Sequence, residues 1–543
     1  MPDAAPSAPP PKGKRIVIFA DGTGNSFAVQ ESNVWRLYAA LDKTEKSGRT
    51  PQLLQLAHYI PGVGTSANRF VRMIDGATGI GVPSNVRKLY RFLCWNWEPG
   101  DEIYLFGFSR GAFTVRTLAG MVRFQGLMPL MIDGRPVTDN EMKRNTMRAW
   151  ERYRQETAPL WQGGLKMAPW IAALRWLRDT AISTKRRLFR QPTHDEVLAA
   201  RPLERRPALG DQAPPGQEGG EVRIRYMGLF DTVEAYGFPF EFLRQVWSWC
   251  IWPITFRNRV CSKVVEAADH VLALDDERLT FHPLQFDQEK AGTPEAPTRV
   301  REAWFCGMHS DVGGGYPDDA VAMDPLLWIM SAAEAAGLRF AEGARAGFEK
   351  RLYPRALIHD SRAGLAAAYR YAPRLKQEGR NFGGPVVLHQ SVLQKIRTGA
   401  DGYAPLLLPA APHFCREPDS HGTCGPAPMS PDPEADRSVR QLVRWRTRVN
   451  RALLLFASLL VLFPLTGFVE RALWPGLWDG VRAIIGAWMS AASLNLKPLI
   501  ALYQPDWPWA AVLALVIAVL WWKAGDLQGR IKDQALLVWR FKT

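Results

Sequence analysis

From Arg15 onwards, short apolar runs alternate with segments whose apolar residues recur at helical spacing. The runs RIVIFA, EIYLFGF, RIRYMGLF and VREAWFCGM have the length and composition of buried strands. The segments SNVWRLYAAL and SNVRKLYRFLCW predict helices, each opened by a Ser-Asn pair that can cap the first amides. Strands alternating with helices predict an α/β fold, with a mostly parallel sheet and helices on both faces.

This alternation is interrupted between Gly126 and Gly220, where an aromatic, basic and partly amphipathic stretch precedes a polar, Pro- and Gly-rich one. The pattern indicates an insertion into the sheet domain. One interpretation is a helical elaboration that packs on the domain. The other is an amphipathic, lid-like segment that contacts a membrane or an apolar substrate.

The pattern changes again after Pro433. Six arginines lie between Arg437 and Arg451, and two charge-free apolar runs follow, at 452–469 and 507–522. These runs are close to the shortest helices that cross about 30 Å of hydrocarbon, and arginine and tryptophan flank them as at membrane interfaces. They predict a transmembrane helical hairpin with both chain termini in the cytoplasm; the alternative is a pair of buried core helices.

The first residues, MPDAAPSAPPPKGK, are rich in proline and contain no apolar core of a signal peptide. We therefore expect a disordered tail and a folded part that begins in the cytoplasm. The predicted organisation is a tail (1–13), an α/β sheet domain (14–125 and 221–410), the insertion (126–220), a linker (411–436) and a membrane-associated region (437–543).

Charge and composition narrow the classes of partner. The chain of 543 residues has a formal net charge of +15, which suits either nucleic acid or an anionic membrane surface. Several of its 21 tryptophans lie beside the C-terminal apolar runs, which favours a membrane over a nucleic acid. The six cysteines show no CxxC spacing, so we expect them to be reduced and not to bind metal.

Candidate chemistry begins at the second predicted strand, which runs into GFSRG and then into a helical pattern. A strand, Gly-x-Ser-x-Gly and a helix form the context in which a serine nucleophile is held in a strained turn. Gly107 and Gly111 would remove Cβ atoms that collide with neighbouring backbone. Ser109 is the predicted nucleophile, and the Arg110 amide would face an oxyanion. The alternative is an ordinary serine in a glycine-rich turn.

A serine nucleophile needs a general base and a residue that orients the base. Asp231 follows one predicted strand in GLFDTVEAYG, and His309 follows another in WFCGMHSDVGGGYP. The order Ser109, Asp231, His309 matches that of α/β-hydrolases and places all three at one edge of a parallel sheet. Asp231 can alternatively cap a turn and His309 can be structural, in which case His389 is the next candidate base.

The first predicted strand leads into DGTGNS. Phosphatases with an aspartyl nucleophile begin similarly, but they need a carboxylate two residues before Asp21, where this chain has Phe19. The segment better suits an oxyanion loop, with the Thr23 and Gly24 amides facing the serine. Asp21 and Asn25 would shape the loop through side-chain hydrogen bonds.

The glycine triplet after Asp311 lacks the Lys-Ser/Thr ending of a P-loop and the spacing of a dinucleotide site. We interpret it as a close-approach turn that fixes His309, with Asp311 in a supporting role. His309 and Asp311 alone do not make a metal site. The sequence therefore predicts neither a metal nor an organic cofactor.

Five ordered blocks, FADGTGNS, GFSRGAFTVR, GLFDTVEAYG, ALDDERLTFHP and WFCGMHSDVGGGYP, lie between Lys14 and Pro409. In these blocks the chain resembles an uncharacterised α/β-hydrolase domain family that includes type VI secretion phospholipase effectors. The resemblance implies a Ser-Asp-His lipase or esterase, with Ser109, Asp231 and His309 in the three roles and Arg278 structural. The chain departs from relatives that often carry tryptophan after the threonine of the first block.

The expected function is a membrane-associated serine hydrolase that cleaves carboxylic esters of lipids, in the manner of a phospholipase. The alternatives are a membrane-anchored scaffold that has lost turnover and an anchored esterase for small esters. The expected partners are a lipid membrane and an ester substrate, without nucleic acid. An immunity or secretion-apparatus protein is left open, as is whether the protein resides in the inner membrane or acts as a secreted effector at a target membrane.

Overall fold

The structure is a computed structural model. The described residues are 13–22, 31–43, 54–62, 81–132, 134–157, scattered positions in 172–188, 222–233, 260–287, 299–359, 373–374, 386–399, 402–406, 408, 413–416, 425–426, 429–473 and 507–541. Residues 1–12 of the predicted tail, most of the predicted insertion, and Thr23, Gly24 and Asn25 of the predicted oxyanion loop lie outside these residues.

Nine strands of the described chain form one sheet, and two short strand pairs lie apart from it. The strands are β1 (Arg15–Ala20), β2 (Gln55–Ile60), β3 (Glu102–Phe108), β4 (Met131–Ile132), β5 (Arg135–Pro136), β6 (Ile224–Phe230), β7 (Val265–Ala273), β8 (Val300–Phe305), β9 (Val387–His389), β10 (His413–Cys415), β11 (Gly425–Pro426), β12 (Met429–Pro431) and β13 (Trp539–Phe541). The sheet order is β11-β10-β9-β8-β7-β6-β3-β1-β2, and β4–β5 and β12–β13 are separate antiparallel pairs.

All neighbours in the sheet are parallel except β10 and β11. The chain moves outward from β1 to β2 and then returns to the other side of β1 with β3. The strand order therefore reverses between β1 and β3. In open parallel sheets, ligands bind at the carboxyl edge beside such a reversal. The predicted mostly parallel α/β fold is confirmed.

The described helices cover both faces of the sheet. They are α1 (Asn33–Ala40), α2 (Gly81–Asn96), α3 (Arg110–Gln125), α4 (Asp139–Thr157), α5 (His309–Gly313), α6 (Met323–Ala335), α7 (Ala344–Glu349), α8 (Gln390–Thr398), α9 (Pro433–Leu473) and α10 (Trp507–Val538). Two short 3-10 turns, Leu279–Phe281 and Ala320–Ala322, follow β7 and precede α6.

Strand side chains alternate between two apolar layers because successive residues of a strand point to opposite faces. On one face, Ile16 and Ile18 of β1 pack in a cluster with residues of α2, α3 and α4. On the other face, Val17 and Phe19 pack in a cluster with residues of α1 and α6. The first part of the predicted insertion therefore contributes α4 to the core of the sheet domain.

The helix starts show one agreement and one difference. The Ser32 side chain accepts a hydrogen bond from the Trp35 amide and caps α1, as its sequence predicts. The described part of α2 begins at Gly81, so Ser84 lies inside the helix and does not cap it. A Ser-Asn pair is tolerated within a helix, which makes this cap signal ambiguous without the preceding turn.

The C-terminal region is joined to the sheet domain. Residues 411–436 were expected to be a linker, but β10 and β11 extend the sheet there. Helix α9 packs against α10, and Val439, Val443, Ile531 and Ala535 share an apolar cluster with strand residues. In the described part of the chain, one helix segment, Ala511–Val538, is long and apolar enough to cross a membrane. The predicted span 452–469 lies within α9, and a membrane hairpin remains a prediction.

Candidate active site

Ser109 occupies a sharp turn between β3 and α3. Its backbone has φ 57° and ψ −122°, a conformation that is unfavourable for a residue with a side chain. Its amide donates to the Phe230 carbonyl at 2.9 Å, which fixes the turn against β6. A Cβ on Gly107 would lie 2.6 Å from Ala112 Cα, and a Cβ on Gly111 would collide with the Ala20 carbonyl. Neighbouring backbone therefore leaves no room for a side chain at either position, as the sequence predicts.

His309 begins α5, four residues after β8 ends. Its Nε2 lies 2.8 Å from Ser109 Oγ, although the two residues are 200 positions apart in the sequence. The ring contacts two aromatic side chains, with centroid distances of 4.8 Å to Phe108 and 5.2 Å to Phe281. Contacts with these two aromatic rings therefore help to hold the imidazole against the serine.

Asp231 follows the last residue of β6 directly. Its Oδ2 lies 2.5 Å from His309 Nδ1, and the carboxylate is fully buried. Its φ is 38°, and within the described chain Ser109 and Asp231 are the two non-glycine residues with positive φ. Such conformations persist where surrounding structure enforces them, and they cluster at functional sites. The structure thus brings Ser109, Asp231 and His309 together at the carboxyl edge.

Arg374 binds the other side of the Asp231 carboxylate. Its Nη1 donates to Oδ1 at 2.7 Å and its Nη2 donates to Oδ2 at 3.0 Å, a bidentate pair. The remaining donors reach backbone carbonyls of Asp276, Ala273 and Phe281 at 2.6–2.7 Å. All five guanidinium N–H groups are therefore used inside the protein.

This pairing determines the charge of Asp231. Burial alone would raise the pKa of the carboxyl group, but the Arg374 charge and the hydrogen bond from His309 more than offset burial and hold the pKa well below its usual range. Asp231 is consequently an anion at neutral pH. Sequence reasoning did not single out Arg374, because it lies in YAPRLK without a strand or motif beside it.

The run Asp275–Arg278 supports the loop that carries His309. The Asp275 carboxylate accepts the Gly307 amide at 2.6 Å, and Asp276 accepts the His309 amide at 3.2 Å. The Arg278 guanidinium lies 3.8 Å from the centroid of Phe281, the ring that packs on His309. These contacts agree with a structural role for Arg278 and show that its neighbours hold the histidine loop.

Asp311 stabilises the same loop from within α5. Its carboxylate accepts the Met308 amide at 2.9 Å, and its other oxygen lies 2.7 Å from His359 Nδ1. Burial raises the pKa of Asp311. In the glycine triplet, a Cβ on Gly313 would collide with the Phe108 ring, and Gly314 has φ +80° beside the Asn33 amide. The triplet is a close-approach turn, as its sequence predicts.

Asp21 holds the start of the first βα loop. Its carboxylate accepts the Gly22 amide and the hydroxyls of Ser32 and Tyr59, all at 2.6 Å. Burial and the neighbouring Asp21 raise the pKa of Tyr59, which keeps its hydroxyl a donor. A Cβ on Gly22 would lie 3.3 Å from Ser109 Cβ, so this loop begins beside the serine.

Arg110, the third residue of the predicted oxyanion hole, is the first residue of α3. Amides in the first turn of a helix have no partner within the helix, and they lie at its positive end. The Arg110 amide is therefore of the type that binds negative charge, and it follows Ser109 directly.

His389, the alternative base, has a different role. Its side chain accepts the Ser391 amide at the start of α8, and its ring stacks on Phe305 at 4.5 Å. Burial lowers the pKa of His389 to about 4. The nitrogen next to Ser109 belongs to His309, which excludes His389 from the base position. Among the described residues, no group of three or more His, Cys, Asp or Glu side chains is arranged to hold a metal ion.

Comparisons with known proteins agree with the five sequence blocks. The catalytic-domain model of the "T6SS, Phospholipase effector Tle1-like" family matches residues 14–332. An uncharacterised protein of Saccharomyces cerevisiae, YEL023C, is 26% identical over 295 residues, which is 52% of this chain and 34% of that protein. The chain therefore spans about a third of the length of this curated relative.

Two solved structures are also similar, at low TM-scores. An uncharacterised protein from Pseudomonas aeruginosa shares 15% identity, with a TM-score of 0.35 and coverage of 63% of this chain and 49% of that one. The Tle1 effector bound to the VgrG spike of the type 6 secretion system shares 16% identity, with a TM-score of 0.27 and coverage of 57% and 52%. The family match covers more than half of the 543 residues. The chain therefore belongs to the family of type VI secretion phospholipase effector Tle1-like catalytic domains.

Proposed function

We propose that this protein is a serine hydrolase that cleaves carboxylic ester bonds of lipids, in the manner of a phospholipase. The observation that carries the proposal is the continuous chain of contacts from Ser109 Oγ to His309 Nε2 at 2.8 Å and from His309 Nδ1 to Asp231 Oδ2 at 2.5 Å. A nucleophile, a base within hydrogen-bonding reach and a carboxylate that orients the base are what acyl transfer requires.

The proton path follows from the charges. Because Asp231 is an anion, the His309 ring places its proton on Nδ1 and leaves Nε2 free to accept. Ser109 attacks the ester carbonyl while Nε2 takes the hydroxyl proton, and the resulting imidazolium is stabilised by Asp231. The imidazolium then protonates the leaving alcohol, which gives an acyl-enzyme. A water molecule activated by His309 attacks that ester, releases the carboxylic acid and restores Ser109.

The oxyanion in each step requires donors on the opposite side of the carbonyl carbon. We assign this role to the Arg110 amide, at the start of α3, and to the Thr23 and Gly24 amides. Gly22 and the hydrogen-bonded Asp21 place the beginning of that loop beside Ser109. One such donor contributes roughly 3–4 kcal/mol to transition-state stabilisation. No metal or organic cofactor enters this mechanism.

Two observations support a lipid substrate. The family to which the chain belongs is described as one of phospholipase effectors. In addition, the apolar part of α10 exposes Leu515, Val519, Trp521 and Trp522 to solvent, and Trp522 is 72% exposed. A contiguous apolar surface of this kind is typical of a membrane contact. We therefore assign the protein to a membrane surface, either in the producing cell or, after secretion, in a target cell.

The related Tle1 effector is described as bound to the VgrG spike. By analogy we propose a secretion-apparatus protein as a partner of this chain. An enzyme that damages membranes also requires protection of the producing cell, for which we propose an immunity protein.

The experiment compares hydrolysis of short-chain p-nitrophenyl esters with that of phospholipid vesicles by the purified full-length chain. A lipase should turn over vesicle lipid faster than monomeric ester, and Ser109→Ala should abolish both activities. Hydrolysis of short esters without hydrolysis of vesicle lipid would favour the alternative of an anchored esterase for small esters. Absence of both activities in the folded protein would leave the non-catalytic scaffold and would overturn the proposal.

A further inference from the structure

The C-terminal helix pair begins at the amino edge of the sheet. Strand β11 is antiparallel to β10, and Pro426 lies opposite His413, the first residue of β10. The β12–β13 pair follows within a few residues, and the Asp432 amide donates to the Val538 carbonyl at 2.7 Å. The start of α9 and the end of α10 are therefore joined on the side of the sheet opposite the active site.

The pair reaches the catalytic edge at Arg446. This guanidinium forms a buried ion pair with Glu277, which lies four residues beyond the carboxyl end of β7, and it also contacts Gln528 of α10. From Pro433 to Arg446 a helix rises about 20 Å, and a six-residue strand has about the same length. The helix pair thus runs the height of the sheet along one side.

Beyond this level both helices continue past the catalytic edge. Helix α9 extends to Leu473, and α10 arrives from Trp507. The segment 507–522 rises about 24 Å, most of the thickness of a bilayer core. It leaves the sheet domain on the side where the carboxyl ends of β3, β6 and β8 carry Ser109, Asp231 and His309.

The exposure of α10 changes along its length. Ile531, Ala535 and Val538 are buried against the sheet domain. Leu515 is 63% exposed and Trp521 60% exposed, and no described residue between 511 and 522 is buried. One half of the helix is therefore buried against the sheet domain, whereas every described side chain of the apolar half is at least partly exposed.

Positively charged residues lie near the point where the buried half of α10 meets its exposed, apolar half. Arg444, Arg448 and Arg451 are exposed on α9. Lys523 of α10 directly follows Trp522, and Trp445 of α9 is also exposed. Cations and tryptophans next to an apolar helix segment suit the headgroup layer of an anionic bilayer. Length, exposure and charge together favour a bilayer over a second copy of the chain as the occupant of this surface.

We infer that the helix pair enters an anionic bilayer with the catalytic edge facing it, so that Ser109 hydrolyses lipid from the same bilayer that holds the protein. This inference rests on the proposed function. It adds the direction from which the lipid substrate reaches Ser109: the lipid enters from the bilayer that the carboxyl edge of the sheet faces.

The test mixes two vesicle populations of phosphatidylethanolamine and phosphatidylglycerol. Donor vesicles contain the reconstituted full-length protein and a phospholipid with one fluorophore on its acyl chain, and acceptor vesicles contain only a second such lipid. Lipid in the donor bilayer is present at a far higher effective concentration, so its initial hydrolysis should be faster by about tenfold or more. Equal hydrolysis of both lipids would overturn the inference.

A charged variant tests the surface itself. Leu515→Glu with Val519→Glu should release the protein from vesicles and remove the donor preference, while turnover of a short-chain ester is retained. Met131→Glu with Leu352→Glu, at two exposed apolar residues outside α10, adds the same charge as the matched control and should change neither result. The inference is wrong if the wild-type protein does not bind vesicles and is an oligomer in solution, whereas the double variant is a monomer. A second copy of the chain then covers the surface.

The two proposals fail in different ways. If short esters are hydrolysed but neither labelled lipid is, the lipid substrate is wrong. The orientation is then measured by energy transfer from a fluorophosphonate dye on Ser109 to acceptors at the vesicle surface. Strong transfer supports a catalytic edge that faces the membrane, and absence of transfer contradicts it. If no dye is incorporated, the hydrolase proposal itself fails.

Discussion

Among single residues, Asp231 bears the most constrained charge in the site. Its carboxylate accepts hydrogen bonds from His309, from Arg374 and from the Ala273 amide, and it has no exposure to solvent. The residue types and order of the three site residues were readable from the sequence, since each follows an apolar strand. Their contacts were not, because they depend on the register between strands that are far apart in the chain.

Asp231→Asn should lower kcat for a soluble ester by about three to four orders of magnitude. The amide cannot stabilise an imidazolium, and it favours the tautomer of His309 that cannot accept the serine proton. Initial rates at neutral pH measure the effect, with circular dichroism as the control for folding. A loss smaller than tenfold would exclude Asp231 as the orienting carboxylate.

Arg374 should act through the charge of Asp231. Replacing it with methionine removes the cation that holds the pKa of Asp231 low, so burial raises this pKa and the carboxylate takes up a proton at higher pH. The acid limb of the kcat/KM profile should therefore move to higher pH, with an activity loss of at least about tenfold.

Arg374→Lys is the matched control, because it keeps the charge and loses the bidentate geometry. Its acid limb should stay near that of the wild type even if its rate falls. If both variants lose activity to the same extent and neither moves the acid limb, Arg374 only supports the fold of the surrounding loops.

Among the elements, a strand with polar residues in its interior could not be predicted from the hydrophobic pattern. Strand β7 was not predicted, because Glu266, Asp269 and His270 interrupt its apolar run. In the fold, Arg301 pairs with Asp269, and His270 lies 2.8 Å from Glu302 on the neighbouring strand. Buried charges are acceptable when they are paired, and such partners are invisible in a local pattern.

Arg374 shows the same limit in a loop. The residue stands 143 positions after Asp231, and no periodicity, cap or motif marks it. By contrast, Gly107 and Gly111 could be assigned from their spacing around Ser109, since a turn between a strand and a helix has one steric requirement. The sequence therefore predicts residues whose role depends on their immediate neighbours in the chain. It does not predict which distant residue pairs with a buried charge.

The turn at Ser109 gives a prediction at this scale. Gly111→Ala places a methyl group against the Ala20 carbonyl, so it should destabilise the protein by about 1–3 kcal/mol and lower the activity at Ser109. Gly347→Ala is the control, because nothing lies within 4 Å of a Cβ at this position in α7. Urea unfolding should show Gly347→Ala at or above wild-type stability. Equal stability of both variants would contradict the close approach.

In the whole molecule, the C-terminal helices pack on the sheet domain, and we propose that their apolar parts enter a membrane. The apolar runs were visible in the sequence as spans, but the sequence did not show that half of α10 packs on the sheet domain. The reason is that apolar residues give the same signal whether they face lipid or protein. Ile531 and Val538 face protein, because they pack in one cluster with strand residues of the sheet domain. Such tertiary contacts cannot be read from the sequence.

The exposed arginines of α9 should determine binding to anionic vesicles. Changing Arg444, Arg448 and Arg451 to alanine removes three charges, each contributing about 1 kcal/mol near anionic lipid, so binding should weaken by about 100-fold at low salt. The control variant Arg144→Ala, Lys350→Ala, Arg355→Ala removes the same charge from other exposed sites. Vesicle sedimentation measures both variants. Equal weakening would show that net charge matters rather than the arginines at the helix exit.

The most direct measurement of the central claim is peptide mass spectrometry after treatment with a fluorophosphonate. The wild-type protein should carry one adduct, on Ser109, and His309→Ala should slow its formation by at least about a thousandfold because the base is gone. An adduct on another residue, or a rate of modification at Ser109 that does not depend on His309, would contradict the account.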